Sequence, residues 1–241
     1  MIAKAIDKIL ELKNPEIIEV EGECYSTLGR LTRISKDLRA KPIHLSTLEG
    51  LVEYINTIGQ MEMGDFTYMI NVISPERVEL VSALDLDRER ETLAVVESDV
   101  PLVPFGKFID SERMVITLQS MFADDEESDK ELLLKFAGTV TAGTVTDYGD
   151  DGVTQKATIK HGVITKAEAI VPSSVKLRPY RTFHEIEQPM STFIFRMKEG
   201  DANTVDAALF EADGGAWKAD AVHKIGKYFR DMFEGNIAVL S

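Results

Sequence analysis

Residues 136–162 read FAGTVTAGTVTDYGDDGVTQKATIKHG and contain the five residues AGTVT twice in succession. A phosphate-binding loop has a glycine cluster that leads into a helix, with GK[ST] at its end in the P-loop class. Here Gly138 and Gly143 lie five residues apart and lead into alternating threonine and valine, which favours a strand. A turn-forming run, DYGDDG at 147–152, separates this strand from VTQKATIK. The stretch therefore predicts a β-hairpin and not a nucleotide loop.

The strand predicted for residues 139–146 contains only small or β-branched side chains, and the helix before it, KELLLKF, is expected to end at Ala137–Gly138. Because the repeat has an odd length and a strand repeats every two residues, its two valines would face opposite sides of the sheet. A strand of this kind can pack closely against another backbone, in a neighbouring sheet or a second subunit. We therefore expect a homo-oligomer.

Further hairpins and amphipathic helices indicate the fold class. A second hairpin is predicted for residues 66–85, around the turn Ser74–Arg77 with Pro75 in its second position, and antiparallel strands are predicted for 191–198 and 204–213. Helices are predicted for residues 2–13, for a segment that follows a Ser46–Glu49 capping box, for a segment capped by Asp110 or Ser111, and for 216–233. These patterns predict an α+β fold, mainly of antiparallel β-hairpins with several flanking helices.

The proline-containing run VPLVPFG, residues 100–106, is a candidate boundary within the chain. It divides a small α+β N-terminal unit, residues 1–100, from a larger α+β C-terminal unit with an antiparallel sheet, residues 101–241. We expect these two units to form the protein.

Composition excludes several classes of protein. Cys24 is the single cysteine, which excludes an internal disulfide framework and a multi-cysteine zinc site. No run approaches the roughly 20 apolar residues that span a bilayer, and the first residues lack the apolar core of a signal peptide. We therefore expect a cytoplasmic protein that does not enter the membrane. The net charge of −14 argues against nonspecific binding of duplex DNA.

No pattern in the sequence predicts catalysis, a metal site or a cofactor. The four histidines lack the spacings of metal-ligand motifs, and no nucleophile elbow or Walker sequence is present. Asp147, Asp150 and Asp151 only partly match a calcium loop, and turn chemistry explains them better. Six acids fall within the eight residues 124–131, where they suit a solvated helix start better than a metal site. We expect no catalytic residue, no metal ligand and no cofactor.

Positive charge is concentrated in one part of this acidic chain. Between Gly152 and Phe183 six lysines and arginines face one glutamate, a local net charge of +5 that leaves −19 for the remaining residues. Arginines beside a tyrosine can combine phosphate pairing with stacking on a base. The candidate ligand-binding residues are Lys156, Lys160, Arg178, Tyr180 and Arg181. The alternative is that this basic segment neutralises the acids of the chain itself, including those at 124–131.

The chain from about residue 104 to its end resembles the YfdQ-like family of uncharacterised phage and prophage proteins, and with a stretch nearer the N-terminus the resemblance covers most of the sequence. The resemblance rests on PFGKFIDSERMVITLQ, VTDYGDDGVTQKATIKHG, VPSSVKLRPY with FHEI, FIFRMK and LFEADGGAW, and on KPIHLSTLEGLVEYI nearer the N-terminus. It implies a phage accessory gene product. It carries no catalytic residues to this chain.

Three functions remain open from the sequence. The first is a non-enzymatic phage accessory protein, acting in counter-defence, whose oligomer binds an anionic partner such as a nucleotide immune signal through the basic segment. The second is an acidic, DNA-mimic-like inhibitor or adaptor of a host protein, which the charge of −19 outside the basic segment supports. The third is a structural assembly protein without a ligand.

Overall fold

The computed structural model describes residues 17–20, 23–26, 32–34, 40–59, 67–85, 88–142, 144–150, 155–161, 165–200 and 205–241. The helix predicted for residues 2–13 lies outside these ranges. The fold is α+β and rich in antiparallel sheets, as the sequence predicts. None of the helices in the described ranges combines the length and the apolar character that a membrane crossing requires.

The elements are numbered in chain order. The strands are β1 (Ile17–Val20), β2 (Glu23–Ser26), β3 (Thr32–Ile34), β4 (Ile43–Leu45), β5 (Tyr68–Ser74), β6 (Arg77–Ser82), β7 (Thr92–Glu97), β8 (Ile109–Asp110), β9 (Thr144–Asp150), β10 (Gln155–His161), β11 (Thr165–Val171), β12 (Ser174–Leu177), β13 (Ser191–Glu199), β14 (Val205–Glu211) and β15 (Ala238–Leu240). The helices are α1 (Leu48–Tyr54), which continues as a π-helical turn (Ile55–Gly59), α2 (Ser111–Met121), α3 (Lys130–Ala142) and α4 (Ala216–Met232).

The strands form four sheets. Their orders are β1-β2-β3, β11-β10-β9, β12-β13-β14-β8 and β15-β5-β6-β7-β4. All of these pairs are antiparallel except β4 with β7 and β15 with β5. The hairpin β5–β6 turns at Pro75–Glu76, and β13 pairs with β14, so both of these predicted strand pairs are confirmed.

The first hydrophobic core lies among the five-stranded sheet, α1 and α4. Helix α4 buries a stripe at four-residue spacing that includes Ala221, Ile225 and Phe229. The same core contains residues of α1 and of β5 to β7, and β15 adds a parallel edge strand beside β5. Residues near the C-terminus therefore complete the sheet of the N-terminal part. The division near residue 100 stays a prediction, and the contacts of α4 and β15 cross it.

The second core joins the four-stranded sheet to α2 and α3. Met114 and Leu118 of α2 and Leu133 of α3 are buried against Phe193 and Phe195 of β13. Asp110 caps α2, since its Oδ1 accepts a hydrogen bond from the Arg113 N–H at 2.9 Å. This confirms one of the two N-caps expected from the sequence.

The two copies of the AGTVT repeat adopt different structures. Helix α3 continues through Ala142, so the first copy, residues 137–141, is helical, and β9 begins at Thr144 within the second copy. The strand prediction for residues 139–142 and the helix end at Ala137–Gly138 are therefore wrong. Leu133 and Ala137 are buried on α3 and anchor the helix, and extending an existing helix through the weak helix formers that follow requires no new nucleus.

The predicted hairpin is nevertheless present, because β9 pairs with β10 in antiparallel register and β11 adds a third strand. Strand β9 extends through Asp150, so the turn begins later than DYGDDG suggests. The argument for a homo-oligomer assumed a strand over residues 139–146. Part of that basis is lost, and the oligomer stays a prediction.

Helix α1 begins with a cap from Thr47 and not from Ser46. The Thr47 side chain accepts a hydrogen bond from the Gly50 N–H at 3.1 Å. A second acceptor comes from a distant part of the chain, since the Leu48 N–H donates to Glu185 Oε1 at 2.7 Å. The predicted Ser46–Glu49 capping box is therefore wrong, and Glu185 satisfies a helix N–H that a local box would have left to solvent.

Candidate functional site

The segment between β12 and β13, residues 178–190, connects the two cores without forming a helix or a strand. Phe183 and Ile186 are buried in the first core, and the Thr182 hydroxyl donates to the carbonyl of Pro75 in the β5–β6 turn. On the other side, the Tyr180 N–H donates to the carbonyl of Met121 at the end of α2. We call these residues the connecting segment. It fixes the positions of the side chains described next.

Arg178 forms ion pairs with three carboxylates. Its guanidinium contacts Asp125 and Glu187, and it lies 3.8 Å from Glu127. The Arg178 side chain is only 13% exposed, so little of its charge is accessible to an external anion. Backbone hydrogen bonds bring the two regions together, because the Ala123 N–H donates to the Arg178 carbonyl at 2.8 Å.

An open cleft of about 710 Å³ lies between the acidic turn that precedes α3 and the connecting segment. We call it the acidic cleft. Five carboxylates line it, and among its lining residues Arg178 is the only lysine or arginine; the acids are Asp124, Asp125, Glu126, Glu127 and Glu187. With histidine neutral, the lining therefore carries a net charge of −4. Low-dielectric walls around charges of one sign concentrate the electric field in such a cleft.

The acids of the cleft differ in exposure. The side chains of Asp124, Glu127 and Glu187 are 96%, 82% and 62% exposed, whereas Asp125 is 19% exposed beside Arg178. Hydrogen bonds from Lys224 and from Arg178 hold the pKa of Glu187 below its ordinary value. Glu187 is therefore ionised at neutral pH. Lys130 pairs with Asp124 at 2.7 Å and Lys224 pairs with Glu187 at 3.2 Å, so the five acids together with Arg178 and these two lysines carry a net charge of −2.

Tyr180 and His184 line the same cleft, with ring centroids 5.3 Å apart. Among the described residues, the polar atoms of these two side chains have no hydrogen-bond or ion-pair partner. Their neighbours on the connecting segment are engaged, since Glu185 caps α1 and the Gln188 side chain binds the backbone of Arg181 and Phe183. Tyr180 and His184 are thus free to contact a partner.

Arg181 lies apart from the acidic cleft, buried at 5% exposure. Its guanidinium stacks 4.0 Å from the centroid of the Trp217 ring, donates to Glu211 at 2.9 Å and donates to the Ser191 hydroxyl. Burial lowers its pKa to about 10, against the opposing effect of Glu211 and Asp213, so it remains charged at neutral pH. The structure does not bring the two predicted arginines into one site.

Lys156 and Lys160 lie on β10, opposite Ile170 and Lys166 of β11. Of the five residues predicted to bind a ligand, only Arg178 and Tyr180 line the acidic cleft, and the role of the set in binding stays a prediction. For Arg178 the structure shows the alternative in which the basic segment neutralises acids of the chain. The pairing with Asp125 falls within the alternative that the sequence left open, because Asp125 belongs to the acid run at 124–131, whereas the contact with Glu187 was not anticipated.

Within the described ranges no group of three or more potential metal ligands converges. Comparison with models of protein families, with curated proteins and with solved structures finds no match to this chain. The resemblance to the YfdQ-like phage family therefore stays a prediction from the sequence.

Proposed function

We propose that the protein is a non-enzymatic interaction protein that binds a basic partner through the acidic cleft. One observation carries this proposal: the cleft holds five carboxylates, and its single arginine is already paired with three of them. An anion entering the cleft would meet a net negative lining, whereas a lysine- or arginine-bearing surface would find exposed carboxylates. This is the second of the three functions that the sequence leaves open.

The aromatic residues of the cleft support a protein partner. Tyrosine is enriched among the residues that dominate binding at protein interfaces, and the face of its ring attracts cationic side chains. Tyr180 offers such a contact beside the exposed carboxylates, and His184 adds a second ring with unpaired nitrogen atoms. If the chain is the phage product that the resemblance implies, its partner is a basic host protein in the cytoplasm, whose nucleic-acid site the acidic surface would occupy.

The test uses a short poly-arginine peptide as the probe. We expect the variant Glu126→Gln/Glu127→Gln to bind it about tenfold more weakly than the unmodified protein, since two exposed charge pairs contribute together roughly 0.4–2 kcal/mol. Glu199→Gln/Glu234→Gln removes the same charge from two exposed residues outside the cleft and serves as the control. Equal losses in the two variants would show attraction by overall charge alone and would contradict a site in the cleft.

A second candidate is the binding of an anion by the β9–β11 sheet. The backbone register of β10 and β11 pairs Lys160 with Lys166, so two lysines of the basic segment share one position of the sheet. The anion would be the nucleotide expected from the sequence. Native mass spectrometry of protein purified from cells would detect it as a nucleotide-sized mass that Lys156→Gln/Lys160→Gln removes. Protein that carries no such mass would leave this candidate without support.

A further inference from the structure

A small pocket of about 280 Å³ lies where β12 and β13 meet the start of α4, apart from the acidic cleft. We call it the indole pocket, since the Trp217 side chain forms part of its lining. Five further polar residues line it: Lys176, Ser191, Thr192, Asp213 and Asp220. Its volume lies just below the range for drug-sized ligands, about 300–1,000 Å³. It suits a ligand of a few heavy atoms.

Trp217 supplies a hydrogen-bond donor without an acceptor. The residue is 8% exposed, and its indole Nε1 is buried with no partner among the described residues. The stacked Arg181 likewise has a buried Nε without a hydrogen-bond partner. Buried donors are nearly always satisfied in folded proteins, because leaving one unpaired costs free energy. The indole nitrogen has almost no accessible surface, so an oxygen of an occupant accepts from it only after the ring shifts.

Asp213 contributes a negatively charged acceptor to the same pocket. Burial alone would raise its pKa, but hydrogen bonds from the Ser191 hydroxyl and the Gly215 N–H, together with the charge of Arg181, hold that pKa below its ordinary value. The carboxylate is therefore ionised and fixed in position. Asp220, on the first turns of α4, adds a second carboxylate to the lining and pairs with Lys224 at 3.0 Å. Asp220 is 48% exposed and an exposed ion pair of this kind is weak, so a ligand ammonium group can replace Lys224 beside the two carboxylates.

Lys176 is the lysine among the residues that line the indole pocket. Its side chain is exposed, and its ammonium makes no ion pair with any other described residue. The pocket thus combines Lys176, a cation that is unpaired among the described residues and favours a carboxylate or carbonyl oxygen, with two carboxylates, which favour a cation. We propose that the indole pocket binds an α-amino group together with its adjacent carbonyl, as found in a free amino acid and at the amino terminus of a peptide. This site is independent of the acidic cleft.

Trp217 is the single tryptophan of the chain, so its fluorescence reports on this pocket alone. The probes are L-alanine, L-alaninamide and N-acetyl-L-alanine, each titrated into the full-length protein with calorimetry on the same samples. We expect saturable binding of the first two with Kd below about 1 mM and no binding of the acetylated compound, which lacks the ammonium group. Tighter binding of alanine indicates a free amino acid, and tighter binding of alaninamide indicates a peptide terminus.

Two variants separate recognition from folding. Asp220→Asn changes an exposed side chain at the pocket and should weaken binding of both ligands about tenfold. Lys176→Gln should weaken alanine more than alaninamide, because only alanine presents a carboxylate. Failure of alanine and alaninamide to bind by both fluorescence and calorimetry would overturn the proposal. Equal binding of N-acetyl-L-alanine would overturn it as well, since the carboxylates would then have no role.

Discussion

Arg178→Gln is expected to destabilise the protein without weakening the binding of a basic partner. The substitution keeps most of the side-chain volume and removes the charge that pairs with Asp125, Glu127 and Glu187. Arg178 is 13% exposed and Asp125 is 19% exposed. Breaking a fully buried ion pair costs about 3–5 kcal/mol, and the exposure of Glu127 and Glu187 reduces this value, so we expect a loss of about 2–3 kcal/mol.

The assay is equilibrium unfolding in urea, which reports the free energy of unfolding directly. The control is Lys135→Gln, which breaks the pair with Glu131 on α3, where the two side chains are 77% and 84% exposed. That pair should contribute about 0.3–0.5 kcal/mol. A loss of stability for Arg178→Gln no larger than that of the control would refute the structural role of Arg178. Weaker binding of poly-arginine by this variant would contradict the cleft electrostatics, since the lining becomes more negative.

Two further predictions concern the helix and the response to acid. Gly138→Ala should stabilise the protein by about 0.5–1 kcal/mol, because Gly138 is exposed within α3 and a Cβ there meets no atom within 4 Å. A loss of stability in the same urea experiment would place the helix end at Gly138 instead. Stability should also fall as the pH drops below about 4.5, the ordinary pKa of Glu187, because the folded-state pKa is lower and the unfolded chain binds the proton first. Glu187→Gln should flatten this part of the pH profile, and an unchanged profile would show that the Lys224 and Arg178 contacts add no stability.

The elements that sequence patterns predict here are those that local contacts determine. The β5–β6 hairpin depends on a turn of adjacent residues around Pro75, and α2 depends on a cap by Asp110 three residues before its partner N–H. The stripe of α4 follows from four-residue spacing alone. For these elements the residues that interact are close in the chain, so spacing is enough to identify them.

Contacts between residues that are far apart in the sequence were not predicted from these local patterns. Glu185 caps α1 from 137 residues away. Strand β15, close to the C-terminus, pairs with β5 in the first third of the chain. The AGTVT repeat is most instructive, because one sequence of five residues is helical in its first copy and enters a strand in its second. Burial on α3 decides the first copy, and pairing with β10 decides the second, which a propensity scale cannot distinguish.

The candidate site was predicted only in part. The sequence identified Arg178, Tyr180 and the acid run at 124–131, and it left open that the basic segment neutralises these acids, but it did not identify which cation meets which acid. That contact changes the expected partner from an anion to a cation.

The most direct test of the central proposal is a comparison of the affinities of the two charge-matched double variants for poly-arginine at two ionic strengths. At low salt we expect Glu126→Gln/Glu127→Gln to bind about tenfold more weakly than Glu199→Gln/Glu234→Gln. We expect the difference to shrink at physiological ionic strength, where the Debye length is about 8 Å. Equal affinities of the two variants at both ionic strengths would contradict the acidic cleft as the binding site.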